Sequence, residues 1–168
     1  SLSSSTLKEV RRSSVVDFDV SNQHKTDARD FHAAFMSAMV KRTAHLQTTP
    51  FTGLSSGYDS GAVDCALSSL AVPHRSYTVS GYEKMDIIDS RVALAMETSS
   101  LLSFEVLTLS RDDFVGANAE MHVFCEAHEY PPSLGYGDDA KGGIDMRDDP
   151  GAVGLSRVCE RARAAGAL

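Results

Sequence analysis

The chain has 168 residues, 42% hydrophobic and 23% charged, a balance that fits a globular domain and excludes disorder or coiled coil. A single domain averages about 150 residues, and a chain of this size buries roughly 70% of its unfolded surface, enough for one core. The net charge of −7 would repel a phosphate backbone, so no nucleic-acid partner is expected; no apolar run reaches the length of a membrane span.

In chain order, Leu7–Val10 and Val15–Val20 are two short β-rich runs around the polar Arg11-Arg12-Ser13-Ser14, which predicts a strand pair. Thr26 or Asp27 can cap a helix reaching about Leu46, with Phe31, Phe35, Ala38 and Met39 on one face. A short strand is expected within residues 48–54, and a helix from Ser60 to Leu70. A strand over Arg75–Val79 and a helix over Asp86–Glu97 follow, the helix turning Ile88, Val92 and Ala95 inward. The next strand spans Ser103–Leu109. Ser110 and Asp113 form a capping-box pattern ahead of an apolar stripe (Phe114, Ala117, Met121, Phe124, Cys125) that predicts a helix to about His128. Residues 130–149, with Pro131, Pro132, four glycines and five aspartates, predict a long mobile loop. Asp149-Pro150 opens a last helix that Gly166 ends, and Ala167-Leu168 has the composition of a further strand.

From residue 48 this order alternates strand and helix. It predicts an α/β fold, an open parallel sheet with helices on both faces and ligands bound beyond the carboxyl ends of the strands. The three cysteines, Cys65, Cys125 and Cys159, are far apart and form no C-x-x-C pair, so free thiols in a reducing, cytoplasmic compartment are expected. The six histidines make no ligand set: His128-Glu129 begins a zinc-protease pattern, but Pro132 occupies the place of its second His.

Leu54-Ser55-Ser56-Gly57-Tyr58-Asp59-Ser60-Gly61 lies between a predicted strand and helix. Small residues let successive N–H groups turn toward one anion, and a helix N-terminus adds positive potential. Ser55 and Ser60 offer hydroxyl donors, and Asp59 a hard oxygen for Mg²⁺. No Gly-Lys-Ser/Thr follows, so this is not a Walker A loop.

Ser55-Ser56-Gly57-Tyr58-Asp59-Ser60 resembles the S-G-G-x-D-S signature of PP-loop ATP pyrophosphatases, and most closely the synthetase domain of glutamine-hydrolysing asparagine synthetases; Ser56 stands where the signature has its first Gly. Leu7–Val10 through Val15–Asp19 resembles the end of that family's glutaminase domain. Phe31–Arg42 resembles the helix entering the PP-loop, and Tyr77–Glu83 its second strand and turn. Arg91-Val92-Ala93 with Phe104-Glu105-Val106 resembles its next helix and strand.

The resemblance implies an adenine nucleotide alpha-hydrolase-like fold that binds ATP and Mg²⁺, adenylates an amino-acid carboxylate and lets ammonia displace AMP. It implies Ser55, Gly57, Asp59 and Ser60 at the pyrophosphate and Mg²⁺, and Leu54, Val79, Ser80 and Gly81 around the adenosine. It further implies Glu126 in adenylate chemistry, and Glu129 as a metal ligand where the family often has Asp. Residues 1–25 would then be the end of a glutaminase-like domain with its linker, and 26–168 a partial PP-loop domain. The family's second signature, S-G-x-G-A-D-E, would follow Leu168. The expectation is therefore a fragment or reduced paralogue, without amidotransferase activity by itself, that depends on a glutaminase domain or partner chain for the missing parts.

Two other readings are open. Gly53-Leu54-Ser55-Ser56-Gly57 also fits the G-x-S-x-G nucleophile elbow of α/β-hydrolases, with Ser55 as nucleophile and His122 or His128 as base. Alternatively, the PP-loop is degenerate and the chain is a non-catalytic docking subunit.

Overall fold

The computed structural model describes residues 26–81, 83–127, 129–130 and 144–167; the predicted strand pair in 7–20, and Tyr82, His128, Leu168 and the loop interior 131–143, lie outside them. The fold is α/β, with a small open sheet of three parallel strands, β1 (Phe51–Gly53), β2 (His74–Val79) and β3 (Leu101–Leu107), in the spatial order β1-β2-β3. Phe51–Gly53 pairs with Arg75–Tyr77, and β2 pairs with β3 from His74↔Leu101 to Val79↔Leu107.

Helix α1 (Arg29–Thr43) starts later than Thr26 or Asp27 would cap it, because the Asp27 carboxylate turns onto the backbone N–H of Arg29 (3.0 Å) and no side chain caps Ala28. Its packing face is Phe35, Met36 and Met39, which meet Ala66 and Leu67 of α2 (Tyr58–Ser69). Phe31 and Ala38, expected on that face, are exposed; Phe31 stacks on Phe35 instead. Ile88, Val92 and Ala95 of α3 (Met85–Glu97) point inward as expected, and Ile88 and Val92 close on Leu54.

The helix α4 (Arg111–Phe124) begins with the predicted capping box: the Asp113 N–H donates to Ser110 Oγ (3.1 Å), and the Ser110 N–H to Asp113 Oδ2 (2.9 Å). It ends at Phe124, whose ring is exposed, as is Cys125; only Ala117 and Met121 of the expected stripe are buried. The ends of the expected loop are ordered into an antiparallel pair, β4 (Glu129–Tyr130) with β5 (Ile144–Asp145), and a 3₁₀ turn over Met146–Asp148. Asp149 caps α5 (Pro150–Ala164) by accepting from the Gly151 N–H (3.0 Å), with Pro150 at the first position. Gly166 (φ +75) takes the left-handed turn after α5. Ala167, expected to begin a strand, instead donates its N–H to the Ala162 carbonyl (2.9 Å) and is buried beside Tyr77 and Val158.

Alternation along β2 separates two environments. Tyr77 packs on Val158 and Ala162 of α5, and Val79 approaches Gly154. The intervening His74, Ser76 and Thr78 are polar and fully buried, which requires partners for each. Asp64 of α2 supplies most of them: its Oδ1 accepts from Ser76 Oγ (2.7 Å), Thr52 Oγ1 (3.2 Å) and His74 Nε2 (3.2 Å). His74 Nδ1 faces the Val72 carbonyl at 2.9 Å. Both ring nitrogens thus meet acceptors, which selects the charged imidazolium. Burial opposes both charges, pushing Asp64 up and His74 down. The hydrogen bonds around the pair and its mutual attraction outweigh that, leaving His74 above its ordinary 6.5 and Asp64 below its ordinary 3.8.

The sign of the linkage follows. The His74 contribution is complete below pH 6.5 and fades as pH rises through the raised value; the Asp64 contribution is complete above pH 3.8 and fades as pH falls through the lowered one. Denaturant unfolding between about pH 5 and about pH 9 will show stability falling on the alkaline side, and His74→Gln will flatten that fall. Asp64→Ala, which strips the imidazolium of its counter-charge and leaves the Thr52 and Ser76 hydroxyls only each other at 2.9 Å, will cost about 3 kcal/mol.

Candidate functional site

Strand β1 delivers the chain to residues 54–57 at the carboxyl end of the sheet. Leu54 is 2% exposed and locked to β2: its N–H donates to the Tyr77 carbonyl (2.7 Å), and its carbonyl accepts from Thr78 Oγ1 (2.6 Å). Helix α2 begins at Tyr58, earlier than the expected Ser60, so Asp59 and Ser60 sit in its first turn. Gly57 is the N-cap residue and has no side chain to cap the helix, which leaves first-turn N–H groups directed at whatever occupies the loop. Asp59 is exposed at that turn.

The loop is bound to itself and to its neighbours. Ser55 Oγ and Ser60 Oγ lie 2.7 Å apart, the Ser55 N–H donates to Ser60 Oγ (3.0 Å), and the Gly57 N–H donates to Ser55 Oγ (3.2 Å). Arg91, on α3, donates through Nη1 to the carbonyls of Ser55 (2.5 Å) and Gly57 (2.9 Å). With two carbonyls drawn to a cation, the peptide N–H groups between them meet other acceptors: that of Gly57 the Ser55 hydroxyl and that of Ser56 the Glu83 carboxylate. Gly61 makes the Arg91 contact possible, because a Cβ there would collide with the Arg91 guanidinium. Glu83, before α3, places Oε2 2.5 Å from the Ser56 N–H and 2.6 Å from Ser56 Oγ.

Beside the loop opens a cavity of about 370 Å³, lined by Leu54, Ser55, Val79, Ser80 and Glu83 from the strand ends, and by Gly151, Gly154 and Leu155 from the start of α5. That volume suits a small organic ligand. Four predicted site residues (Leu54, Ser55, Val79, Ser80) therefore share one cavity, and Gly57, Asp59 and Ser60 stand at its adjoining loop. Gly81 (φ +146) does not line the cavity, and a Cβ there would meet nothing within 4 Å. Glu126 is exposed just beyond α4 and does not line the cavity; Glu129 lies in β4, its side chain outside the described residues. Ser55 meets the Ser60 hydroxyl rather than an imidazole, while His122 Nε2 pairs with Asp148 Oδ1 at 2.8 Å; His128 lies outside the described residues.

Sequence reasoning missed Glu83, Arg91 and the amino end of α5. Glu83 and Arg91 lie 27 and 36 residues beyond the loop residues they touch, too far for any local pattern. The Asp149-Pro150-Gly151 helix start was visible in the sequence, though not its position over the strand ends.

Among the described residues no three His, Cys, Asp or Glu side chains cluster as a ready-made metal cage. A single exposed carboxylate, Asp59, beside the Ser/Gly loop still fits Mg²⁺, which commonly takes one or two protein carboxylates and completes its shell with phosphate and water oxygens. The fold and the site define an α/β protein with a ligand-sized cavity at the carboxyl ends of β1 and β2. No protein-family model, no curated protein and no solved structure matches the chain.

Gly61→Ala will push the Arg91 guanidinium off the Ser55 and Gly57 carbonyls and loosen the loop. Hydrogen exchange at the amides of residues 55–57 will accelerate by about tenfold or more, while amides of β2 stay protected. Unchanged exchange would show that Arg91 does not hold the loop.

Proposed function

We propose that the chain is the nucleotide-binding part of an ATP-dependent ligase similar to the asparagine synthetases, in which ATP and Mg²⁺ activate an amino-acid carboxylate for amide formation. The observation that carries the reading is the shared cavity of Leu54, Ser55, Val79 and Ser80 beside a Ser/Gly loop that opens α2. Nucleotide sites of parallel sheets lie at this place in the fold.

In this reading the cavity receives the adenosine, with Leu54 and Val79 as its apolar wall and Ser80 at its rim. The β- and γ-phosphates lie over residues 55–60, where loop and first-turn N–H groups aim partial positive charge at them. The hydroxyls of Ser55 and Ser60 would exchange their mutual bond for phosphate oxygens. Asp59 would hold Mg²⁺, which supplies neutralisation of the charge that grows on the departing pyrophosphate. A substrate carboxylate oxygen attacks the α-phosphorus, the bond to the β-phosphate oxygen breaks, and pyrophosphate leaves. Ammonia then attacks the acyl carbon of the adenylate, and AMP departs with its oxygen. The chain's part is electrostatic: it holds dipoles where negative charge accumulates. Glu126 and Glu129 are the carboxylates that the resemblance assigns to the adenylate and metal steps. The ammonia would come from a glutaminase domain or a partner chain.

Calorimetric titration with ATP·Mg²⁺ tests the reading. The wild-type chain will bind, and Asp59→Ala will weaken binding by about tenfold or more through loss of the cation ligand. Absence of heat at millimolar nucleotide, or an Asp59→Ala variant that binds equally well, would contradict it.

A further inference from the structure

We infer that Glu83 is a built-in competitor for the oxyanion cradle, a carboxylate latch that occupies the donors of Ser56 and must swing out before phosphate binds there; this rests on reading residues 55–60 as a polyphosphate site. One carboxylate oxygen of Glu83 accepts from both the backbone N–H and the hydroxyl of Ser56, at 2.5 and 2.6 Å. Converging N–H and O–H donors are the groups that hold a phosphate or carboxylate oxygen of any source. The loop thus already binds an oxyanion, and that oxyanion belongs to the chain.

The surroundings make the contact conditional rather than permanent. Among the described residues Glu83 has no ion pair, and the nearby cation Arg91 spends itself on the Ser55 and Gly57 carbonyls. Glu83 is half-buried on the cavity rim, in the short connection between β2 and α3, so a side-chain rotation alone can release it. A polyphosphate arriving at the same loop brings like charge against the carboxylate, which drives that rotation. Ser56 is what makes the latch effective. Its hydroxyl adds a second donor beside the N–H, and a glycine at this position would offer the N–H alone.

The latch predicts an affinity below what the loop can give, because only the released fraction of molecules is competent to bind. Removing the charge at Glu83 raises that fraction. Pyrophosphate with Mg²⁺, which probes the loop without the adenosine cavity, is the ligand to titrate by calorimetry against wild type, Glu83→Gln and Glu83→Ala, with circular dichroism confirming the fold of each. Both variants will bind at least about fivefold more tightly than wild type. If wild type binds and both folded variants bind equally or more weakly, Glu83 is a loop support or a metal ligand and the latch is overturned, while the polyphosphate reading stands. If none of the three binds at millimolar concentration, the polyphosphate reading fails and the latch with it. Should one variant not fold, the other decides by the same comparison.

Discussion

The fold turns on one buried carboxylate. Asp64 reaches from α2 to Thr52 of β1 and to Ser76 and His74 of β2, and so joins a helix to two strands through a single oxygen. The charged pair at the centre of this network is the vulnerable part, since removing either Asp64 or His74 leaves the other buried group without its counterpart. The network in turn fixes the angle at which α2 leaves the sheet, and with it the direction of the first-turn N–H groups. The loop ahead of α2 takes its geometry from this network together with its own hydrogen bonds among Ser55, Gly57 and Ser60.

A second layer of polar tethers refines that geometry. Thr78 pins the Leu54 carbonyl, Arg91 pins those of Ser55 and Gly57, and Glu83 engages Ser56. Apolar packing does the opposite work at the two ends of the cavity. Leu54 is closed in by Ile88 and Val92, and Val79 lies against Gly154, so the cavity floor is firm while its rim is polar. A rigid floor with adjustable polar groups at the rim suits a site that binds a flat apolar moiety beside a charged one. The proposed ligase function and the proposed Glu83 latch start from one arrangement, in which the N–H and hydroxyl of Ser56 converge on the nearest oxyanion, the Glu83 carboxylate.

Local chemistry was legible in the sequence, and long-range chemistry was not. The capping box of Ser110 and Asp113, the Asp149-Pro150 start and the Gly166 stop depend on neighbours within a few residues, and each was readable. The inward positions of α3 were readable because its 3.6-residue period is clean. Phe31 and Phe124 were misplaced because periodicity names an apolar face without saying whether anything covers it; both rings are exposed. The strand β2 hid its nature in another way. His74, Ser76 and Thr78 look like a solvent face, yet they are buried, their cost met by Asp64 and the Leu54 carbonyl across gaps of 10 to 24 residues. Of the site, the loop motif and the Leu54, Val79 and Ser80 wall were legible. Glu83 and Arg91 became visible only when the fold brought α3 and its leading turn against the loop.

The central proposal is that residues 54–60 with Val79 and Ser80 form one nucleotide site. Amide chemical-shift mapping during titration with ATP·Mg²⁺ tests it directly. The account predicts saturating shifts at Leu54–Ser60, at Val79 and Ser80 and along the first turn of α5, with little change in α1 or α4. Shifts that fail to saturate at millimolar nucleotide, or that cluster away from the carboxyl ends of β1 and β2, would contradict it.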